Sequence, residues 1–306
     1  MKTKFLSLAM MLFLSLTLLM PGKVMAQEVR ARFRVTLTSF VVNHETVEGV
    51  IFRDGRGDEV YALVNSAELA PSNRILGSPQ RRQSVIYGDT DGRAGPVRAI
   101  GFDLEHYPPH WMMKAGNAGP NGGLLAGNRY PDGPAPAVPA DARPIDRGRF
   151  IPMMLWEGEL RRGGTFPNAV VIIPTIWEND NMPDLLNVWN RQVDDYLRRF
   201  AATSARFING THRRRLVEQV DEVLNTVPQR NEFDRPIGLD GDAFNPLTAS
   251  PGAATFIPAV MLLTFDSAVN AAGTAQGSGV VEITYRDGER YGQGSYTIFL
   301  RVERLP

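Results

Sequence analysis

The chain has 306 residues, with 33 basic and 33 acidic side chains, 29 glycines, 22 prolines and no cysteine. The lack of thiols excludes disulfides, thiol catalysis and zinc–thiolate sites. The balanced charge, with no polybasic run, gives no footprint for nucleic acid or an anionic membrane. A chain this long can bury a substantial core, in one large domain or two smaller ones.

Residues Met1 to Ala26 read as a secretory signal peptide. Lys2 and Lys4 give a positive start, Phe5 to Met20 is almost wholly apolar, and Val24-Met25-Ala26 offers small residues before Gln27. The apolar run is shorter than the ~20 residues a spanning helix needs. The expectation is a secreted or periplasmic protein with no transmembrane segment after cleavage. Removing three lysines leaves residues 27–306 with 30 basic and 33 acidic groups.

From Arg30 to Val42 the chain alternates. Phe33, Val35 and Leu37 fall on one face and Arg32, Arg34 and Thr36 on the other, the pattern of a half-buried strand. A polar loop, Arg53-Asp54-Gly55-Arg56-Gly57-Asp58-Glu59, leads into a strand at Val60 to Val64. Val85-Ile86-Tyr87 runs into a second acidic turn holding Asp89 and Asp91, and Val97 to Phe102 reads as a further strand. Residues 114–147 are rich in glycine and proline and poor in large apolar groups, which predicts a long surface loop, partly ordered at best. Strands follow at Phe150 to Leu155 and Ala169 to Ile176, separated by the turn signal Arg161-Arg162-Gly163-Gly164.

The stretch from Ile172 to Leu239 organises the reading. The apolar run ending at Trp177 meets an acidic turn, Glu178-Asn179-Asp180, and about fifty residues later Asn231-Glu232-Phe233-Asp234-Arg235-Pro236 returns. The spacing predicts one strand-end loop split by an insert, its two acidic lips meeting in space. Within the insert, 181–230, helical spacing predicts two amphipathic helices. The first runs from Pro183 to Phe207, with Trp189, Val193, Tyr196 and Leu197 on its stripe; the second runs from Thr211 to Val227. They would form a hairpin decorating the sandwich. Phe256 to Phe265, Val280 to Tyr285 and Tyr296 to Val302 complete the strands. The fold class expected is mainly β, a single antiparallel β-sandwich over 27–306.

Acidic turns at strand ends suit a hard cation, since calcium takes six to eight oxygen ligands from loops that can bend around it. The same turns also occur wherever strands need connecting. Glu105, His106 and His110 could suggest zinc, but Pro108 and Pro109 forbid the helix that His-x3-His spacing requires. No phosphate-binding loop and no Gly-x-Ser-x-Gly is present. Paired carboxylates for glycoside hydrolysis remain open.

Two pieces resemble the calcium-binding C2 module. Arg34 to Leu63, with Asp54 and Asp58 before a strand bearing Tyr61, is similar to its first loop. Ile176-Trp177-Glu178-Asn179-Asp180 is similar to the hydrophobic-Trp-Asp-x-Asp of its third, and Asn231 to Gly238 resembles the Asp-x-Ile-Gly that closes it. The resemblance covers under half of the chain, and Glu178 stands where the family has aspartate. It implies an eight-stranded sandwich, bound calcium, and Asp54, Asp58, Glu178, Asp180 and Asp234 as ligands. The function expected is a secreted noncatalytic binding module, calcium-dependent, for a protein, glycan or lipid partner and not for nucleic acid. The alternatives are a secreted hydrolase using the loop carboxylates, or a structural envelope protein without an ion.

Overall fold

The computed structural model describes residues 27–46, 57–71, 74–90, 97–99, 110–179, 186, 189–191, 193–199, 217–219, 226–228, 234–240, 253–256, 258–273, 279–288 and 292–306. The strands in chain order begin with β1 (Val29–His44), β2 (Val60–Ala70), β3 (Arg74–Gln83), β4 (Ile86–Gly88), β5 (Val97–Ala99) and β6 (His110–Lys114). Then come β7 (Arg129–Tyr130), β8 (Met153–Arg162), β9 (Ala169–Glu178), β10 (Val217–Gln219), β11 (Thr226–Pro228) and β12 (Arg235–Pro236). The last are β13 (Leu239–Asp240), β14 (Ala253–Phe256), β15 (Ala259–Thr264), β16 (Val280–Arg286) and β17 (Ser295–Arg304).

Two main sheets result. The first runs β16-β17-β1, and the far edge of β1 is shared between β8 along Val29–Leu37 and β7 at Phe40 and Val41. The second runs β10-β15-β9-β2, and beyond β2 it continues as β3 and as β4-β6-β5. Pairing is antiparallel except between β4 and β6. A small third sheet, β11-β14-β13, shares no strand ladder with either.

Burial follows the side-chain period. In β1, Phe33, Val35 and Leu37 are buried while Arg32 and Arg34 reach outward. Every residue of β9 is buried, so both its faces are covered. One face belongs to the inter-sheet core, where Phe33 meets Phe265 edge-on at 6.0 Å and Phe40 of the first sheet meets Tyr87 of the second at 5.7 Å. On the other, Trp177 packs against Tyr61 and against Trp189 of the helical segment, whose residues 189–191 and 193–199 are helical. Trp189, Val193, Tyr196 and Leu197 are almost wholly buried there, and burying an aliphatic side chain such as Val193 or Leu197 contributes about 1.5–3 kcal/mol. Among the described residues no helix is long and apolar enough to cross a membrane.

The described residues of the first expected helix are helical, whereas the described residues of the second, Val217–Gln219 and Thr226–Val227, lie in strands; the rest of the second helix falls outside the described residues. Val217–Gln219 pairs with β15 and Thr226–Pro228 with β14. This stretch is rich in valine, whose branched Cβ is crowded in a helix and comfortable on a pleated sheet; sheet edges were available to take it. The Gly/Pro-rich stretch 114–147 is more regular than its composition suggested. It carries β7 and a short helix, Pro144–Arg147. Part of it is stitched to strand ends through Ala115 N to Gly88 O at 3.0 Å and Leu124 N to Asp58 O at 3.0 Å. Phe265–Ala272 is a helix rather than the end of a strand. Thr264 and Ser267 close a reciprocal cap at its start, and that local signal outweighs the apolar run before it.

Candidate functional site

Register alone brings the acidic lips together. β12 pairs with the end of β9, Arg235 opposite Glu178 and Pro236 opposite Trp177. β2 starts beside the same end, Val60 opposite Glu178, so Asp58 arrives just before it. Asp58 is fixed by a bridge to Leu124, its N–H donating to the Leu124 carbonyl at 3.0 Å. Gly57 makes this possible: its φ is +81°, and a Cβ there would stand 2.8 Å from the Leu124 carbonyl oxygen. From the first sheet come Thr46, just past β1, and Tyr296, which β17 places opposite Val42.

The cluster these residues form is closed. Thr46, Asp58, Glu178, Arg235, Asp287 and Tyr296 are each under a tenth exposed. Asp58 Oδ2 accepts from the Thr46 N–H at 2.8 Å and from the Tyr296 hydroxyl. The Thr46 hydroxyl lies 2.8 Å from Asp58 Oδ1 and also in close contact with Glu178 Oε1. Arg235 contacts Glu178 Oε2 at 2.8 Å through Nη2 and Asp287 Oδ2 at 2.9 Å through Nη1. Asp287 Oδ1 in turn accepts from the Gly238 and Leu239 N–H groups at 2.6 and 2.9 Å. Alongside, Tyr61 donates to Asp234 Oδ2 at 3.1 Å.

One hydroxyl carries one proton, so Thr46 can donate to only one of two carboxylates. The second contact needs a proton on a carboxyl group. Arg235 sits on Glu178, which places the negative charge there and the proton on Asp58. The sequence is then Asp58 Oδ1–H to Thr46 Oγ1, Thr46 O–H to Glu178, and Glu178 to the Arg235 guanidinium. The electrostatics agree. Burial first, then the charge of Glu178, push the Asp58 carboxyl up to about 7, against a partial pull downward from the Tyr296 and Thr46 hydrogen bonds. Burial and the neighbouring Asp58 hold the Tyr296 phenol well above its ordinary range. Burial also raises Asp287, partly offset by Arg235.

Asp58 and Glu178, from the first- and third-loop positions of the sequence reading, are thus brought together through Thr46, while Asp234 stands beside them on Tyr61. Asp54 and Asp180 lie outside the described residues. All four oxygens of Asp58 and Glu178 already face a protein group, and Arg235 holds the position beside Glu178 that a cation would take. Among the described residues no group of three or more acids or histidines is arranged to hold a metal. In this arrangement the carboxylate oxygens of Asp58 and Glu178 are occupied by protein groups.

Four members of the cluster escaped the sequence reading: Thr46, Arg235, Asp287 and Tyr296. Arg235 lies inside the returning motif Asn231 to Pro236, but nothing local distinguishes a buried arginine or aspartate from a solvated one. Tyr296 becomes a partner of Asp58 only through strand pairing across more than two hundred residues, and Thr46 reaches Glu178 across more than a hundred.

Set against known protein families, curated proteins and solved structures, the chain matches none.

Proposed function

We propose that this chain is a secreted, noncatalytic binding module built on a C2-like sandwich. The observation that carries the proposal is the closed state of the carboxylate cluster. A general acid or base must reach substrate within hydrogen-bond distance, directly or through one water. Here Asp58 and Glu178 are 4% and 8% exposed and engaged with Thr46, Tyr296 and Arg235. They tie β1 and β17 of one sheet to β2, β9 and β12 of the other. The convergence of first- and third-loop acids at one end supports the C2-like reading, with Arg235 supplying inside the protein the positive charge that a bound ion supplies in that family.

Glu178→Gln tests it. A structural cluster loses stability, because Arg235 is left beside Asp287 alone, and the wild type turns over no substrate in a panel of glycosides, esters and peptides. Turnover by the wild type that Glu178→Gln abolishes at unchanged stability would establish the hydrolase instead. The same unfolding measurements in chelator and in millimolar calcium test ion binding, since a ligand bound only to the folded state stabilises by mass action.

A further inference from the structure

The outer face of the first sheet carries a trough away from the buried cluster. One part, about 490 Å³, is lined by Thr38, Arg129, Asp132, Phe299 and Arg301. A second part, about 350 Å³, includes Lys114 and Asn117 and shares Arg129 and Asp132 with the first, so the two are continuous. At the other end of this face the arginines are closed off: Arg32 and Arg34 both pair with Glu157, at 2.7 and 2.8 Å. In the trough they are not. Among the described residues neither Arg129 nor Arg301 has a carboxylate within ion-pairing reach, and both are exposed. Arg129 is held over the Phe299 ring at 5.8 Å, which orients the guanidinium without neutralising it.

We propose that this trough binds an acidic, uronate-bearing oligosaccharide, with sugar carboxylates taken by Arg129 and Arg301. The inference rests on the reading of the chain as a binding module and names its partner class. A planar guanidinium matches a carboxylate with two parallel hydrogen bonds. The remaining lining asks for hydroxyl groups. Asp132 is an exposed acceptor, and Thr38, whose hydroxyl donates to the Phe299 carbonyl at 3.0 Å, keeps its oxygen lone pairs as further acceptors. A uronate chain supplies both carboxylates and hydroxyl donors. A fully sulfated polymer answers the arginines but has few free hydroxyl donors left for Asp132 and Thr38.

The test is affinity electrophoresis of the protein through gels holding polygalacturonate, dextran or dextran sulfate, at two salt concentrations. The expected result is retardation by polygalacturonate alone, weakened by salt and reduced about tenfold or more in Arg129→Ala and in Arg301→Ala. Both side chains are exposed, so thermal unfolding of the variants stays at the wild-type midpoint. No retardation by polygalacturonate, equal or stronger retardation by dextran sulfate, or wild-type retardation of both variants overturns the proposal. None of these results bears on the noncatalytic reading, which falls only if turnover is found.

Discussion

Asp58→Asn isolates the proton in the buried cluster. Asp58 is 4% exposed, and its carboxyl moves from the ordinary 3.8 to about 7 on folding, by burial and by the charge of Glu178. Between those values the folded state holds a proton that the unfolded state has released. Stability therefore falls as pH rises from about 4 through about 7, and the loss is complete above that window. The gap between 3.8 and about 7 corresponds to about 4 kcal/mol. Asparagine mimics the protonated acid: its Nδ2 donates to the Thr46 hydroxyl, and its Oδ1 accepts from Tyr296 and the Thr46 N–H. Denaturant unfolding across pH 4–9 should show the wild type losing several kcal/mol while Asp58→Asn stays flat in this respect. At pH 8 the variant should be the more stable by up to about 4 kcal/mol, and at pH 4 the two should agree within about 1 kcal/mol. A variant less stable than wild type at pH 8, or two parallel pH profiles, would refute the placement of the proton.

Arg235→Met leaves Glu178 and Asp287 buried without their shared cation, and should lower unfolding stability by about 3–5 kcal/mol at neutral pH. Tyr296→Phe removes a donor to Asp58, costing about 1–3 kcal/mol. It should also move the pH window upward, because that hydrogen bond holds the carboxyl down; the midpoint of the stability-versus-pH curve reads this out. Trp189→Ala empties the contact among Trp177, Trp189 and Phe256, with an expected loss of about 3–5 kcal/mol and faster proteolytic cleavage within 193–199.

Strand identity was legible where the side-chain period was clean. β1 alternates and β9 is apolar but for Thr175 and Glu178, and both formed where the pattern put them. The meeting of the acidic lips was legible too, because a strand-end motif and its return share one register, Arg235 opposite Glu178. The pattern failed at Val217–Gln219 and Thr226–Pro228, where apolar spacing fits a helix but the chain pairs with edges of the second and third sheets. It also missed β3, whose sequence Arg-Ile-Leu-Gly-Ser-Pro-Gln-Arg-Arg-Gln does not alternate: the strand is largely exposed, so no buried face imposes a period, and it bulges opposite Ala67. The chemistry of the cluster lay further out of reach. Acidic turns read as solvent-facing or metal-binding, yet Asp58 and Glu178 are buried by strand pairing and matched to Thr46, Tyr296 and Arg235 from distant elements. Sequence separation hides such partners; only the assembled sheets reveal them.

The most direct measurement is a carbon-13 carboxyl NMR titration of Asp58, in chelator and then in millimolar calcium. A closed, proton-sharing cluster gives a midpoint near 7, with a carboxyl resonance that calcium leaves in place. A midpoint near the ordinary aspartate value, with a resonance that moves as calcium is added, would contradict it and reopen this end of the sandwich as an ion site.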